Sequence, residues 1–294
     1  RPVLVYLNGH VVPAEDARIS PFDRGFVFGD GVYEVVRASS HPDGKRRLIG
    51  LDQHIARMRR SLAAIGSEWD AQQLREIVEL LLARSNLSDA LVYCQVTRGT
   101  PDLATMPART HAAPAGIKPT VFAFARPFAA MDWANAVPPT KKCVTQRDIR
   151  WSRCDIKSTS LLGHLMCTTA AVRGGCDEAI LIHGDGPEAI VTEGSHCNMA
   201  LVTRDGEIVT PSLDSASMLA GVTRELLLRA EPGIQQRKVF ARELDDAREI
   251  MLIGTTTMVS SVTHLDGREI NNGQIGPVAR RLCRSLTDAC AMSG

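Results

Sequence analysis

The stretch Ala129–Lys142, AAMDWANAVPPTKK, divides the chain. It carries the paired prolines Pro138 and Pro139 and no apolar periodicity, the composition of a connection rather than of a helix or strand. The patterns on its two sides differ. We therefore read residues 126–140 as an interdomain loop between a small N-terminal α/β domain (1–125) and a larger C-terminal domain (141–294). A chain of 294 residues with 44% hydrophobic side chains can fill two such cores.

Before the loop, VLVYLNGHVV (Val3–Val12) alternates and turns at Asn8-Gly9, a hairpin signal because both turn residues tolerate positive φ. LDQHIARMRRSLAAIG (Leu51–Gly66) places Leu51, Ile55, Met58, Leu62 and Ile65 three or four apart, which predicts an amphipathic helix stopped by Gly66. AQQLREIVELLLARS (Ala71–Ser85) repeats that pattern, and ALVYCQVTRG (Ala90–Gly99) and TVFAFARPF (Thr120–Phe128) read as strands. After the loop, STSLLGHLMCTTAAVRGG (Ser158–Gly175) reads as a helix. Glu178–Pro211 reads as short strands with turns at residues 184–186 and 205–206. AGVTRELLLRAE (Ala220–Glu231) and ARELDDAREIM (Ala241–Met251) read as helices, MLIGTTTMVSSV (Met251–Val262) as one strand, and GPVARRLCRSLTDAC (Gly276–Cys290) as a closing helix. The expected fold class is α+β, two domains meeting at a cleft.

Charge and cysteine usage narrow the function. Thirty-four basic residues against 33 acidic give a formal net charge of +1, so no global field favours nucleic acid or an anionic membrane, and small molecules become the expected partners. Eight cysteines without CxxC spacing argue against a zinc site or disulfide framework and fit a reducing, cytoplasmic compartment. No apolar run approaches the roughly 20 residues of a membrane span. The opening RPVLVYLNGHVV lacks the layout of a signal peptide, and its start at Arg1 leads us to expect further leading residues.

Four short segments carry chemistry. In RWSRCDIKSTSLLG (Arg150–Gly163), Lys157 stands at the edge of an apolar element, beside Ile156 and just before Leu161 and Leu162. Desolvation in such a place favours the free amine that Schiff-base chemistry needs, although a lysine there can equally snorkel to solvent. In VTEGSHCNMALV (Val191–Val202), Glu193 lies between a β-branched strand and a Gly-Ser turn, where a carboxylate can face a pocket and Gly194 admits close backbone approach. In LAGVTRELLL, Gly221, Val222 and Thr223 open a helix whose free N–H groups attract anions. In LIGTTTM, Gly254 and three threonines end an apolar strand with small donors. Taken singly, these are ordinary surface charges, a helix cap and strand-end hydroxyls. Together they are the parts a pyridoxal phosphate enzyme needs: an amine, an acid for the pyridine nitrogen and donors for the phosphate.

The blocks DRGFVFGDGVYEVVR, LDQHIARMRRSL, QVTRGT, DIRWSRCDIKSTSLLG, VTEGSHCNMALV, LAGVTREL and LIGTTTM, in this order, resemble the signature blocks of class IV (fold type IV) pyridoxal phosphate aminotransferases. The blocks DIRWSRCDIKS and DGVYEVV are most similar to those of the D-amino acid aminotransferases. The resemblance implies a two-domain fold type IV enzyme, with a small α/β domain and a larger β-barrel-like domain with helices. It implies pyridoxal 5'-phosphate as cofactor and a homodimer with a shared active site. By matching position, Lys157 is the Schiff-base lysine that also shuttles the substrate proton, and Glu193 pairs with the pyridine nitrogen. Arg57, Val222, Thr223 and Thr255 hold the phosphate, with Thr256 and Ser195 beside the cofactor. Leu219 packs on the ring, and Tyr33 lines the substrate pocket.

One block departs from the pattern. The family's D-amino acid enzymes carry an Arg-x-His motif soon after VTRG, where this chain has TPDLATMP (Thr100–Pro107). Arg109-Thr110-His111 follows slightly further on, at nearly the family's distance from KPTV, so a short insertion precedes a retained carboxylate clamp. Arg98 or Arg37 is the alternative carboxylate ligand. The expected activity is ping-pong transamination from a D-amino acid such as D-alanine to 2-oxoglutarate or pyruvate. An (R)-amine or branched-chain L-amino acid transaminase, an aminodeoxychorismate lyase and a non-catalytic B6-binding protein remain as alternatives.

Overall fold

The computed structural model describes residues 3–107 and 109–292. They form two compact units: one runs to Met131 and also takes in Ile156–Ser160, and the other comprises Asp132–Asp155 and residues 161–292. The division is therefore not linear. Ile156–Ser160 belong with the first unit because Ser158 bridges to Val32, the Thr159 N–H donates to the Gly31 carbonyl and the Tyr33 N–H donates to the Lys157 carbonyl.

The first unit has strands β1 (Leu4–Leu7), β2 (His10–Pro13), β3 (Gly31–Ser40), β4 (Arg46–Ile49), β5 (Ala90–Thr97) and β6 (Thr120–Pro127), with helices α1 (Arg24–Phe28), α2 (Leu51–Ile65) and α3 (Gln73–Ser85). The strands make one antiparallel sheet in the order β2-β1-β6-β5-β3-β4. The Asn8-Gly9 turn has the expected positive φ values, 48° and 96°. Leu51, Ile55, Met58 and Leu62 of α2 and Leu74, Ile77, Val78 and Leu81 of α3 share one core with Val32, Val36, Val92 and Val96 of the sheet. The period of two in β3 puts Glu34 on the same inward face as Val32 and Val36, fully buried.

The second unit has strands β7 (Thr140–Arg147), β8 (Glu178–His183), β9 (Ile190–Gly194), β10 (Asn198–Val202), β11 (Ile208–Pro211), β12 (Gln235–Arg237), β13 (Glu249–Gly254), β14 (Met258–Leu265) and β15 (Arg268–Glu269). Their order is β12-β11-β10-β13-β14-β7-β8-β9, with β15 beside β14. The pairs β11–β12, β14–β7 and β7–β8 are parallel, and the others antiparallel. Helices α4 (Leu162–Arg173), α5 (Val222–Ala230) and α6 (Pro277–Met292) complete it. Ile180, Met199, Leu201, Ile250, Leu252 and Val262 lie in its core. No helix among the described residues is long and apolar enough to cross a membrane.

Three elements differ from expectation. The helix expected over 241–251 is a short 3-10 turn, Ala241–Leu244, followed by β13 from Glu249. Pairing of β13 with β10 and β14 on both sides overrides the helix-favouring composition. The single strand expected over 251–262 is two strands joined by a turn at residues 255–257, with Met258 at φ 55°. The helix expected from Ser158 begins at Leu162, because the backbone of Ser158 and Thr159 is committed to the first unit.

Candidate active site

In the first unit, the backbone of Lys157 is pinned on both sides. Its N–H donates to Ser61 Oγ of α2 at 3.1 Å, and its carbonyl accepts from the N–H of Tyr33 at 3.0 Å. The side-chain amine then lies 3.4 Å from Tyr33 Oη and 4.4 Å from the centroid of that ring. Tyr33 stacks in turn on Tyr93, which stacks on Phe124, so neighbouring strands fix the phenol. The structure thus brings Lys157 and Tyr33 together, an amine beside a phenol through which a proton can pass.

Arg57 lies deeper. Its Nε and Nη2 bond the two oxygens of Glu34 at 2.8 and 2.7 Å, and His54 Nδ1 is 2.6 Å from Glu34 Oε2. All three side chains are buried. Burial alone would raise the Glu34 carboxyl, yet the Arg57 guanidinium and His54 hold it well below the usual carboxylate range. Burial also lowers His54, against the pull of Glu34. One carboxylate is already balanced by one guanidinium, so a second buried cation is unfavourable and His54 stays neutral.

Arg109 and His111 stand side by side on the loop between β5 and β6, Arg109 Nη1 3.3 Å from His111 Nε2. Both are exposed on the first unit, and both flank Phe28, the Arg109 guanidinium at 5.0 Å and the His111 ring at 5.8 Å from its ring.

In the second unit, Glu193 stands next to last in β9 and is buried. Its Oε1 accepts from Arg150 Nη1 at 2.5 Å and from the Leu219 N–H at 3.2 Å, and its Oε2 accepts from Asn198 Nδ2 at 2.9 Å. Arg150 also donates to Asp148 from Nε at 3.0 Å and from Nη2 at 2.8 Å. Burial pushes the Glu193 carboxyl up against the pull of Arg150. For Asp148 burial also raises, but the Arg150 bonds win and the net shift is downward. Two carboxylates therefore share one guanidinium, which leaves the group short of positive charge.

The remaining residues cluster by sequence. Leu219 is held by both backbone groups, its carbonyl accepting from Asn198 Nδ2 at 3.0 Å. Gly221 caps α5 without a side-chain bond, and the amides of Val222 and Thr223 begin the helix where no intrahelical partner exists. Thr255 and Thr256 lie in the turn between β13 and β14. The Ser195 hydroxyl is buried and occupied by Glu178, Thr168 and His196.

The family model for amino-transferase class IV matches residues 31–265. This chain belongs to the class IV aminotransferases. It is similar to a D-alanine aminotransferase of Staphylococcus epidermidis, 35% identical over 289 residues, 95% of this chain and 94% of that one. Among solved structures it is similar to the branched-chain amino acid aminotransferase of Escherichia coli, with a TM-score of 0.84 at 22% identity over 96% of this chain and 92% of that one. A hypothetical aminotransferase from Mycobacterium tuberculosis, in its PLP-bound form, gives a TM-score of 0.77 at 21% identity over 99% of each chain. The fold is that of the fold type IV aminotransferases, two-domain α+β.

Class IV aminotransferases use pyridoxal phosphate, and the residues here fit it. The shortage of positive charge around Glu193 suits a protonated pyridine nitrogen. The uncapped start of α5 suits a phosphate. Gly221 is also the residue required: an added Cβ would lie 1.9 Å from Asn198 Oδ1, the residue that holds Glu193 and Leu219.

Motif reading missed Glu34, His54, Ser61, Arg150 and Asn198. A weak signal existed for Glu34, a carboxylate at the inward parity of VYEVV, and for His54 and Arg57, three residues apart on one helix face. Arg150 stood within a quoted block without a role, because its partner Glu193 is 43 residues away.

Proposed function

We propose that this aminotransferase moves the amino group of a D-amino acid such as D-alanine to 2-oxoglutarate or pyruvate in two half-reactions. The pairing of Arg109 with His111 on one loop carries this reading, since together they present the donors a carboxylate accepts. The similarity to a D-alanine aminotransferase across nearly the whole chain supports it. The likeness to branched-chain enzymes, at 22% identity, bears on the fold alone.

Pyridoxal phosphate supplies the electron sink that acidifies the α-hydrogen of a bound amino acid. Lys157 would hold the cofactor through its amine and, once free, that amine would take the substrate α-proton from one face and return it at the other end of the half-reaction. Tyr33, 3.4 Å from that amine, orients it. Glu193 would keep the pyridine nitrogen protonated. Arg57, Val222, Thr223 and Thr255 would hold the phosphate, with Thr256 and Ser195 beside the cofactor and Leu219 against its ring. Arg109 and His111 hold the α-carboxylate, and with Lys157 on a fixed face their location selects the D enantiomer.

We also propose a homodimer sharing its active sites. Leu162, Leu165 and Met166 expose 72%, 51% and 54% of their surface on α4, an apolar face suited to a second copy. Eight thiols without a disulfide suit the cytoplasm.

The test follows the visible absorbance of the lysine-bound cofactor while D-alanine, L-leucine and (R)-1-phenylethylamine are added separately without an oxo acid. Bleaching by D-alanine alone is expected. Bleaching only by L-leucine or by the amine would overturn the substrate assignment.

A further inference from the structure

We propose that Arg24 positions the Arg109-Thr110-His111 segment and, through it, the binding of the substrate carboxylate. The inference rests on the reading of Arg109 and His111 as the carboxylate pair. Between Thr97 and Thr120 the chain has no helix or strand among its described residues, and loops of that length within a compact fold need a device that holds them.

Two devices are present. At the base, Gly99 has φ +94°, and an added Cβ would lie 1.9 Å from the Lys118 carbonyl oxygen, so the loop ends are pinched together. At the far part of the loop, the Arg24 guanidinium acts as a fork: Nη1 donates to the Thr110 carbonyl at 2.6 Å and Nη2 to the His111 carbonyl at 3.0 Å. The fork itself is fixed. Its Nε donates to Asp30 Oδ2 at 2.8 Å, its backbone N–H donates to the Gly99 carbonyl at 2.9 Å, and the side chain is 6% exposed. Phe28, one turn along α1, lies 4.8 Å from the Arg24 guanidinium and also carries Arg109 and His111 on its ring.

Two consecutive carbonyls held by one planar group fix the peptide planes on both sides of His111. The Cα–Cβ direction of His111 follows from those planes, and Arg109 is held against it by its 3.3 Å contact with His111 Nε2 and by the Phe28 ring at 5.0 Å. A lysine keeps the charge beside Asp30 but cannot span two carbonyls, so the geometry requires a guanidinium. The block DRGFVFGD thus gains a role: Arg24, Phe28 and Asp30 present the loop, and Arg109 and His111 touch the substrate.

The experiment compares the holoenzyme with R24K, R109A and the double variant, D-alanine as donor and 2-oxoglutarate as acceptor, alongside hydrogen exchange of residues 109–117. R24K is expected to raise KM for D-alanine about 10–100-fold, the scale of one lost charge-assisted hydrogen bond, with kcat within about threefold. In the R109A background it should add little, because both changes remove one function. Amides over 109–117 should exchange faster in R24K at unchanged exchange elsewhere. Parental KM in R24K, with a raised KM in R109A, would leave the D-amino acid reading standing and remove the positioning role. Parental KM in R109A would remove the substrate reading instead. The loop anchor is then decided by exchange: faster exchange in R24K keeps it, and unchanged exchange overturns it.

Discussion

The Arg57 guanidinium on α2 and the Glu34 carboxylate on β3 meet through two parallel hydrogen bonds, at 2.8 and 2.7 Å, with both side chains buried. A bidentate pair of this kind is stronger in geometry than in net energy, since both charges left water to form it. Its value lies in where it puts Arg57, and its vulnerability lies in losing one partner.

Glu34→Gln is therefore expected to destabilise the apoprotein by about 3–5 kcal/mol, the cost of an uncompensated buried charge. Urea unfolding at pH 7 measures this, and a loss below about 1 kcal/mol would show that Arg57 finds other compensation.

Acid should unfold the protein in two stages. His54 has its folded-state pKa lowered by burial, so below its ordinary value of 6.5 the unfolded chain binds a proton that the folded chain refuses, and stability falls. Glu34 is also lowered, with an ordinary value of 4.5, so its stabilisation is complete above that pH and drains away as pH falls further. Unfolding free energy measured from pH 8 to pH 4 should decline first below about 6.5. His54→Asn should flatten that first decline; a parental slope in this variant would assign the proton uptake elsewhere.

Lys157→Ala should reduce kcat by at least about 10²–10⁴-fold, the scale on which a proton-transferring group acts, and remove the visible absorbance of the lysine-bound cofactor. Tyr33→Phe keeps the ring under the amine and loses only the hydroxyl at 3.4 Å, so it should retain that absorbance with a smaller fall in kcat. Stopped-flow single-turnover measurement separates the two variants.

Gly221→Ala forces Asn198 away from Glu193 and Leu219, because the new Cβ has 1.9 Å to the amide oxygen. Its φ of −67° suits alanine, so the strain comes from space alone. Cofactor affinity, followed by fluorescence on titrating the apoprotein, should weaken about tenfold or more, as expected for the loss of roughly 1.4 kcal/mol. Parental affinity would mean that Asn198 does not set the Glu193 geometry.

What could be read from the chain alone follows from how local each signal is. Helix α2 was legible because its apolar spacing and Gly66 stop are contained in sixteen residues, and the β1–β2 turn because Asn8-Gly9 is itself the cause. ARELDDAREIM misled because its composition favours helix, while its fate is set by Asn198–Val202 and Met258–Leu265 pairing on either side. Lys157 and Glu193 stand out in the sequence by their neighbours and by the blocks that resemble the family's. Their supports do not: Ser61 lies 96 residues from Lys157, and Arg150 lies 43 from Glu193.

The five residues Ile156–Ser160 give the fold a timing. Because a ribosome delivers the chain in order, the first unit cannot close when Met131 emerges. Val32 and Tyr33 must wait for Ser158 and Lys157, which arrive only after β7 has been made. The segment bearing the amine is thus among the last pieces to enter that unit. A nascent chain stalled before residue 156 would hold the sheet with its place for the lysine still open, while β7 would still lack both its strand partners, β8 and β14, which are made later.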